Sequence, residues 1–185
     1  MRAFLIPEVN ETNVYVVACA RSRRAALIDA GGFSDAVVRH VHQMDWKVEK
    51  ILITHGHYDH VGGLDEYRAA FDQPDVLAMG PLSGLSGDHL TDGQTIAIGH
   101  LEATAIDTSG HTGDSMSIVF PSVAFTGDCL FAGSIGGTGS EADRLREIQR
   151  IRERLFPLDP TVELYPGHGP GSTILIEKQF NPFFV

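Results

Sequence analysis

The sequence is poor in cysteine, in basic residues and in long apolar runs. Only two cysteines occur in 185 residues, so no disulfide framework is implied and a reducing cytoplasm is the simplest location. Lysine and arginine total 14 against 24 acidic residues, which gives a net charge of -10. A chain of this charge lacks the basic surface that nucleic acids and anionic membranes require.

The sequence predicts neither a transmembrane helix nor a signal peptide. No apolar run reaches the ~18 residues of a transmembrane helix. The N-terminal stretch MRAFLIPEVNETN is too short and too polar for a signal peptide. We therefore expect a small-molecule substrate and neither a nucleic-acid nor a membrane partner, while the oligomeric state stays open. The length of 185 residues and the 43% hydrophobic content predict a single domain over residues 1–185.

Short β-branched runs separated by turns predict more strands than helices. The predicted strands span residues 2–6, 14–20, 25–28, 48–54, 94–98, 101–107, 116–120, 123–126 and 161–165. The predicted helices span residues 36–44, with Ser34 as N-cap, 64–71, 141–155 and 172–180. Residues 55–63, 81–93 and the glycine-rich 133–140 are predicted loops. This order favours two packed sheets with helices outside.

The segment ITHGHYDHVGG follows a predicted strand and holds the densest group of potential metal ligands. His55 and His57, two residues apart, can direct both imidazoles at one ion. Asp59 and His60 lie further round the turn and can serve a second ion. Zinc-like ions accept imidazole nitrogen and carboxylate oxygen at ~2.0–2.2 Å. The alternative is a polar loop whose histidines share no function.

Three later segments repeat one pattern, in which an apolar strand is followed by glycine and then by histidine or aspartate. They are Gly110-His111, Gly127-Asp128 and Gly167-His168. Each glycine allows a sharp turn where a side chain must face a crowded centre. Because four residues cannot complete a site for two ions, these segments are the candidates for the remaining ligands.

Together, these residues resemble the metallo-β-lactamase fold superfamily and, within it, a small single-domain hydroxyacylglutathione hydrolase (glyoxalase II). The segments THGHYDHVGG, FTGDCLF, YPGHGPGS and NPFF carry the resemblance, which extends over nearly the whole chain. It implies an α+β fold, a four-layer αββα sandwich.

The resemblance also implies a set of metal ligands. The first ion would be held by His55, His57 and His111, the second by Asp59, His60 and His168, and Asp128 would bridge both. Asp29 would support the histidine segment through hydrogen bonds, or else be an ordinary solvated turn residue. No metal role is expected for His40, His42, His89 or His100, and Cys129 is expected to be a buried structural residue.

Two divalent ions ~3.5–4 Å apart can share a water and lower its pKa towards ~7. The metal-bridging hydroxide would attack a carbonyl polarised by the first ion, while Asp59 orients it and relays its proton. We therefore predict a dinuclear metal-dependent hydrolase of thioesters or related esters. Zinc is the expected metal, and iron and manganese also suit these ligands.

Other functions share parts of this site. A mononuclear iron persulfide dioxygenase would use only His55, His111 and Asp128. A lactonase or β-lactamase would share the hydrolytic chemistry, and a non-catalytic metal-stabilised binding domain would need only four ligands.

Recognition of glutathione is the weakest part of the resemblance. The glyoxalase II branch holds glutathione with a basic residue and a tyrosine after the GDCLF position, where this chain has GSIGGTGS. It also ends at Val185, without the helical domain of larger members. Residues 133–140 are expected to be either a plain connector or a mobile rim of the pocket. Basic residues from elsewhere, such as Lys178, Arg144 or Arg146, could take the place of these two residues.

Overall fold

A computed structural model describes residues 2–6, 12–80 and 88–185, and its first sheet has six strands. These are β1 (Arg2–Ile6), β2 (Thr12–Ala18), β3 (Arg24–Ile28), β4 (Lys47–Leu52), β5 (Asp75–Ala78) and β6 (Asp88–His89), side by side in chain order. The first three strands pair antiparallel, as expected for consecutive hairpins, and the strands from β3 to β6 pair parallel.

The second half of the chain forms another six-stranded sheet and a small hairpin. The strands are β7 (Thr95–Ile98), β8 (Leu101–Asp107), β9 (Met116–Val119), β10 (Val123–Gly127), then the hairpin β11 (Leu130–Phe131) and β12 (Ser134–Ile135), then β13 (Glu163–Pro166) and β14 (Ser172–Thr173). The sheet order is β14-β13-β10-β9-β8-β7, antiparallel except between β10 and β13.

Helices cover the outer faces of both sheets. They are α1 (Asp35–Gln43), α2 (Tyr58–Val61), α3 (Leu64–Ala70), α4 (Glu141–Arg150), which continues in a π-helical turn (Ile151–Leu155), and α5 (Ile174–Phe180). None of the helices in the described ranges combines the length and the apolar character needed to cross a membrane.

Three buried apolar layers show how the sheets and helices pack. Leu27 faces the layer shared with α1 and α3, whereas its neighbour Ile28 faces the layer between the sheets, as the twofold alternation of a strand requires. Phe125 lies in the same central layer, and Ala124 faces the layer shared with α4 and α5. The order helix, sheet, sheet, helix confirms the predicted αββα sandwich.

Several predicted elements differ from the structure in local detail. Residues 55–63, predicted as loop, contain the one-turn helix α2, which is too short to show a helical periodicity. Strand β5 was not predicted because its apolar run has only four residues. Residues 172–180, predicted as helix, begin as β14. The predicted loop 81–93 lies partly outside the described residues and includes β6.

The loops at one edge of the sandwich are joined by backbone hydrogen bonds. Met116 N donates to Thr54 O at 2.9 Å, and Gly167 N donates to Gly127 O at 2.8 Å. Ala30 N donates to His60 O at 2.8 Å. Because the segments that carry the predicted ligands are bonded to each other through the backbone, this edge is pre-organised before any ligand binds.

Candidate metal centre

The structure brings all seven predicted ligands together at this edge, in two adjoining clusters. The first cluster contains His55, His57 and His111, and the second contains Asp59, His60, Asp128 and His168. Within each cluster the potential ligand atoms lie within 4.8 Å of one another. Among the described residues, no further group of three or more His, Cys, Asp or Glu side chains converges in this way. The rings of His55 and His60, one from each cluster, have centroids 4.1 Å apart.

In the first cluster three imidazole nitrogens face a common point. His57 Nδ1 lies 3.1 Å from His55 Nε2 and 3.0 Å from His111 Nε2. Two nitrogens bound to one tetrahedral zinc at ~2.0–2.1 Å would be about 3.3 Å apart. Both distances from His57 Nδ1 are therefore close to the spacing of two nitrogens on one bound cation.

The second cluster holds polar atoms that lack partners within the protein. His60 Nε2 and Asp128 Oδ1 are buried, lie 3.2 Å apart and make no hydrogen bond. Such buried atoms are costly unless something satisfies them. His168 Nε2 lies 3.1 Å from Asp59 Oδ2 and 3.4 Å from Asp128 Oδ2. The residues present therefore fit a divalent cation here as well.

Asp128 lies between the two clusters. Its Oδ2 is 3.7 Å from His111 Nε2 of the first cluster, while its Oδ1 approaches His60 of the second. The preceding Gly127 has φ of 51°, and an added Cβ there would overlap the side chain of Thr54. A Cβ at Gly167 would overlap Asp128 Oδ1 and the His60 ring. Both glycines are therefore needed for the close approach, as the sequence pattern predicted.

Asp29 supports the histidine segment and is not a solvated turn residue, being 1% exposed. Its Oδ1 accepts a hydrogen bond from Thr54 N at 2.8 Å, and its Oδ2 accepts from Thr54 Oγ1 at 2.9 Å. The same Oδ2 lies 2.9 Å from His60 Nδ1, which must donate to it. The backbone of Asp29 is left-handed, with φ of 58°, a conformation that short polar residues tolerate best.

Fixed acceptors set the tautomer of three histidines. The Nδ1 of His60 donates to Asp29, and the Nδ1 of His111 lies 2.6 Å from the Gly137 carbonyl, to which it can only donate. The Nδ1 of His55 lies 3.2 Å from the Thr54 hydroxyl, whose proton is already given to Asp29. In the neutral form of each ring, Nε2 then carries the lone pair and faces a cluster, which is how ligating histidines are oriented.

Burial and the carboxylates set the charges of the centre. Burial lowers the pKa of His55 to about 3, with a further contribution from neighbouring His60. Burial alone would lower the pKa of His60, but Asp29 and Asp128 outweigh it and raise that pKa to about 10. Burial would raise the pKa of Asp128, but the neighbouring His168 and His60 side chains outweigh burial and hold that pKa well below the usual range. The Asp128 carboxylate thus stays ionised, and its charge attracts cations.

We expect Asp29→Asn to weaken metal binding while leaving the backbone intact. Asparagine tolerates the left-handed conformation at this position, but it lacks the charge that holds His60. Losing such a supporting group typically costs about 10–100-fold in metal affinity. Zinc titration with a competing chelator checks this, with Asp45→Asn as the matched control. Asp45 is an exposed aspartate that also has a positive φ, of 53°. Equal affinities of the two variants would contradict the role of Asp29.

Cys129 is buried, as expected, and the other histidines lie outside the two clusters. The remaining four histidines belong to neither cluster; they are His40, His42, His89 and His100. The rings of His40 and His42 pack edge-on against Trp46 and Phe71. Cys129 is buried in the apolar layer beneath α4, where burial raises the pKa of its thiol.

Sequence reasoning missed the residues that hold the ligands in place. Thr54 stands directly before His55, where the sequence predicts only the end of a strand. Thr12 donates to Asp59 Oδ2 at 3.5 Å across 47 positions of sequence. The Gly137 carbonyl lies in the segment that was predicted to be a connector or a mobile rim. A carbonyl has no residue-type signature, so only the fold could show that partner.

Comparison with known proteins places this centre in a family. The family model of the metallo-beta-lactamase superfamily matches residues 7–168. The chain is 33% identical to a probable metallo-hydrolase of Streptococcus pyogenes, over 94% of this chain and 85% of the relative. It is 29% identical to the hydroxyacylglutathione hydrolase GloC of Haemophilus influenzae, over 87% of each chain.

Solved structures agree with the sequence relatives. BLEG-1, a B3 metallo-beta-lactamase, superimposes with a TM-score of 0.88 at 27% identity, over 100% of this chain and 99% of that one. TTHA1623, solved in a di-iron-bound form, superimposes with a TM-score of 0.82 at 25% identity, over 99% of this chain and 100% of that one. By its sequence, its αββα sandwich and its histidine and aspartate clusters, the chain belongs to the metallo-beta-lactamase superfamily.

Proposed function

We propose that the protein is a dinuclear metal-dependent hydrolase of thioesters or related esters. The observation that carries the proposal is the pair of adjoining clusters, with the Asp128 carboxylate placed between them. The likeness to the hydroxyacylglutathione hydrolase GloC and to a di-iron protein supports the reaction type and the number of metals. Four ligands would suffice for a structural site, so seven converging groups favour catalysis.

In this proposal His55, His57 and His111 hold the first ion, Asp59, His60 and His168 hold the second, and Asp128 contacts both. When bound, two divalent ions supply a polarised substrate carbonyl and a water of lowered pKa. Zinc is the proposed metal, and iron or manganese would suit the same nitrogen and oxygen ligands. The three histidines with fixed tautomers present Nε2 without reorganisation, which is what pre-organised electrostatic stabilisation requires.

Asp59 is the proposed catalytic carboxylate besides its role as ligand. Its side chain is 20% exposed against 10% for Asp128, so Asp59 is the more open of the two to substrate and water. Its Oδ2 lies 3.1 Å from His168 Nε2 and accepts from Thr12 Oγ1. A carboxylate held at one oxygen can accept a proton from the attacking water and pass it to the leaving group.

The charges around the centre favour substrates without a large negative charge. The basic residues proposed to take over glutathione binding are engaged elsewhere. Arg144 pairs with Glu141, Arg146 pairs with Asp143 at 2.7 Å, and Lys178 donates to the Phe156 carbonyl at 3.1 Å. The aromatic ring of Phe131 instead packs against the His168 ring, with centroids 6.3 Å apart. We therefore propose a thioester or ester whose leaving group is neutral or weakly charged.

The test is a set of parallel assays on one metal-replete preparation. We expect hydrolysis of a small neutral thioester, its loss on chelation, and its return when zinc is restored. Oxygen uptake with a persulfide would instead identify the mononuclear iron dioxygenase. Turnover of a β-lactam in preference to thioesters would favour the lactamase activity named for BLEG-1. Absence of any turnover, with full metal content, would leave only a binding role and would overturn the proposal.

We further propose that residues 1–185 work as one catalytic domain in a reducing compartment. Both cysteines are free and buried, so no disulfide supports the fold. The net charge of -10 does not suit a nucleic-acid partner.

A further inference from the structure

Asn13 makes hydrogen bonds to the loop that carries His168, on both sides of that residue. Asn13 lies on β2 and is 7% exposed. Its side-chain Nδ2 donates to Pro166 O at 3.1 Å and to Gly169 O at 2.9 Å, and its backbone N donates to Gly167 O at 2.7 Å. One residue thus binds the loop before and after His168. Both amide hydrogens are used, so a shorter side chain would leave two carbonyls without this donor.

Asn181 holds a different loop from the other end of the chain. It follows α5 and is 1% exposed. Its Nδ2 donates to Ser134 O at 3.0 Å and to Glu177 Oε2 at 2.8 Å. The same Glu177 oxygen accepts from Gly133 N at 2.9 Å. The turn between β11 and β12 is therefore tied to the C-terminal helix by a buried asparagine and a buried glutamate.

The segment that Asn181 holds contacts the ligand His111 at its far end. Directly after β12, Gly136 N donates to Cys129 O at 3.4 Å, and Gly137 O accepts from His111 Nδ1 at 2.6 Å. A Cβ at Gly136 would lie 3.0 Å from the Cβ of His111, which shows how tightly the segment packs against that ligand. The glycine-rich segment thus supports His111 and is more than a plain connector.

We propose that Asn13 and Asn181 are positioning residues that support the two halves of the metal centre separately. Asn13 sets His168 and therefore the second cluster. Asn181 sets the hairpin, the Gly137 carbonyl and hence the tautomer of His111 in the first cluster. The inference rests on the proposed two-metal ligand assignment. One half-site is thereby assigned to each buried asparagine, although the hydrogen bonds of both side chains go to residues other than the ligands.

The effect of Asn13 on the second cluster and that of Asn181 on the first can be measured separately in variants that keep only one metal site. His57→Ala removes a ligand of the first cluster and leaves the second to be titrated, and His168→Ala does the reverse. In each background the chelator-stripped protein is titrated with zinc against a chromophoric chelator. Asn13→Ala should weaken zinc binding about 10–100-fold in the His57→Ala background, the usual cost of losing a supporting partner. In the His168→Ala background it should change affinity by no more than about twofold, the scatter of independent sites.

Asn181→Ala should show the opposite selectivity, with the same large loss in the His168→Ala background only. A general loss of folding would weaken zinc binding in both backgrounds, so equal losses in both would overturn the proposal, as would the absence of loss in either. If an alanine variant does not fold, Asn13→Ser and Asn181→Ser give the same comparison with a smaller change. The readout does not require turnover. Wild-type protein that binds one ion would refute the two-metal assignment itself, whereas two ions without selectivity would refute only the asparagine roles.

Discussion

Asp128→Ala is expected to lose both metal ions and activity together. The carboxylate has one oxygen 3.2 Å from His60 Nε2 and the other 3.7 Å from His111 Nε2, so no other carboxylate in the two clusters spans them in this way. Its loss would leave the buried His60 Nε2 with only the Asp59 carboxylate, whose Oδ2 lies 3.8 Å away. Loss of a group in the ligand shell usually lowers metal affinity or activity by at least ~10–100-fold. Because Asp128 lies between both clusters, we expect its loss to have an effect at the upper end of that range.

The measurement combines metal analysis with steady-state rates on the same sample. Asp143→Ala is the matched control because it also removes an aspartate, but one that pairs with Arg146 on the exposed face of α4. The control should keep both ions and its full rate. Asp128→Ala that retains both ions and more than about a tenth of the wild-type rate would show that the bridging role is wrong.

Glutathione thioesters are expected to bind weakly even where they are turned over. Glutathione is a net anion, and this chain is also negative, with a net charge of -10. It has the sequence GSIGGTGS where the glyoxalase II branch has its basic residue and tyrosine. Each missing charge-assisted hydrogen bond forfeits ~1.5–3 kcal/mol of binding. Two such losses raise the Michaelis constant by about two decades or more, at ~1.4 kcal/mol per tenfold. The rate constant can survive, because the lost contacts bind substrate and transition state equally.

Kinetics with S-lactoylglutathione and with a small neutral thioester check this expectation. A variant can also restore the missing charge: an added Cβ at Gly137 meets no atom within 4 Å, and its carbonyl already lies beside His111. Gly137→Lys should therefore lower the Michaelis constant for the glutathione compound relative to that for the neutral thioester. A micromolar constant for the wild-type protein, with a strong preference for the glutathione compound, would show that glutathione is recognised by other residues.

The metal ligands could be predicted from the sequence because their chemistry requires particular residue types at short sequence spacings. Two histidines two residues apart, and glycine before His111, Asp128 and His168, are visible in the sequence because ligands must be particular side chains. The αββα layers followed from strand periodicity together with the resemblance. Asp29 could be assigned only in the structure, since a turn aspartate and a buried one look alike in sequence.

The supports of the ligands were not predictable for a physical reason. The Gly137 carbonyl that fixes His111 lies 26 positions along the chain, and the Asn13 side chain reaches Pro166 across 153 positions. Backbone carbonyls are common to every residue, so their partners depend on the three-dimensional register of loops. Helix α2 and strand β5 were not predicted because four residues are too few to show a helical or strand periodicity of apolar residues.

The number of metal ions bound per chain tests the account most directly. Protein stripped with chelator, reconstituted with excess zinc, iron or manganese and freed of unbound metal should contain close to two ions per chain. His57→Ala and His168→Ala should each contain close to one, because each removes a ligand from a different cluster. Saturation of the wild-type protein at one ion per chain, with every one of these metals, would contradict the dinuclear centre.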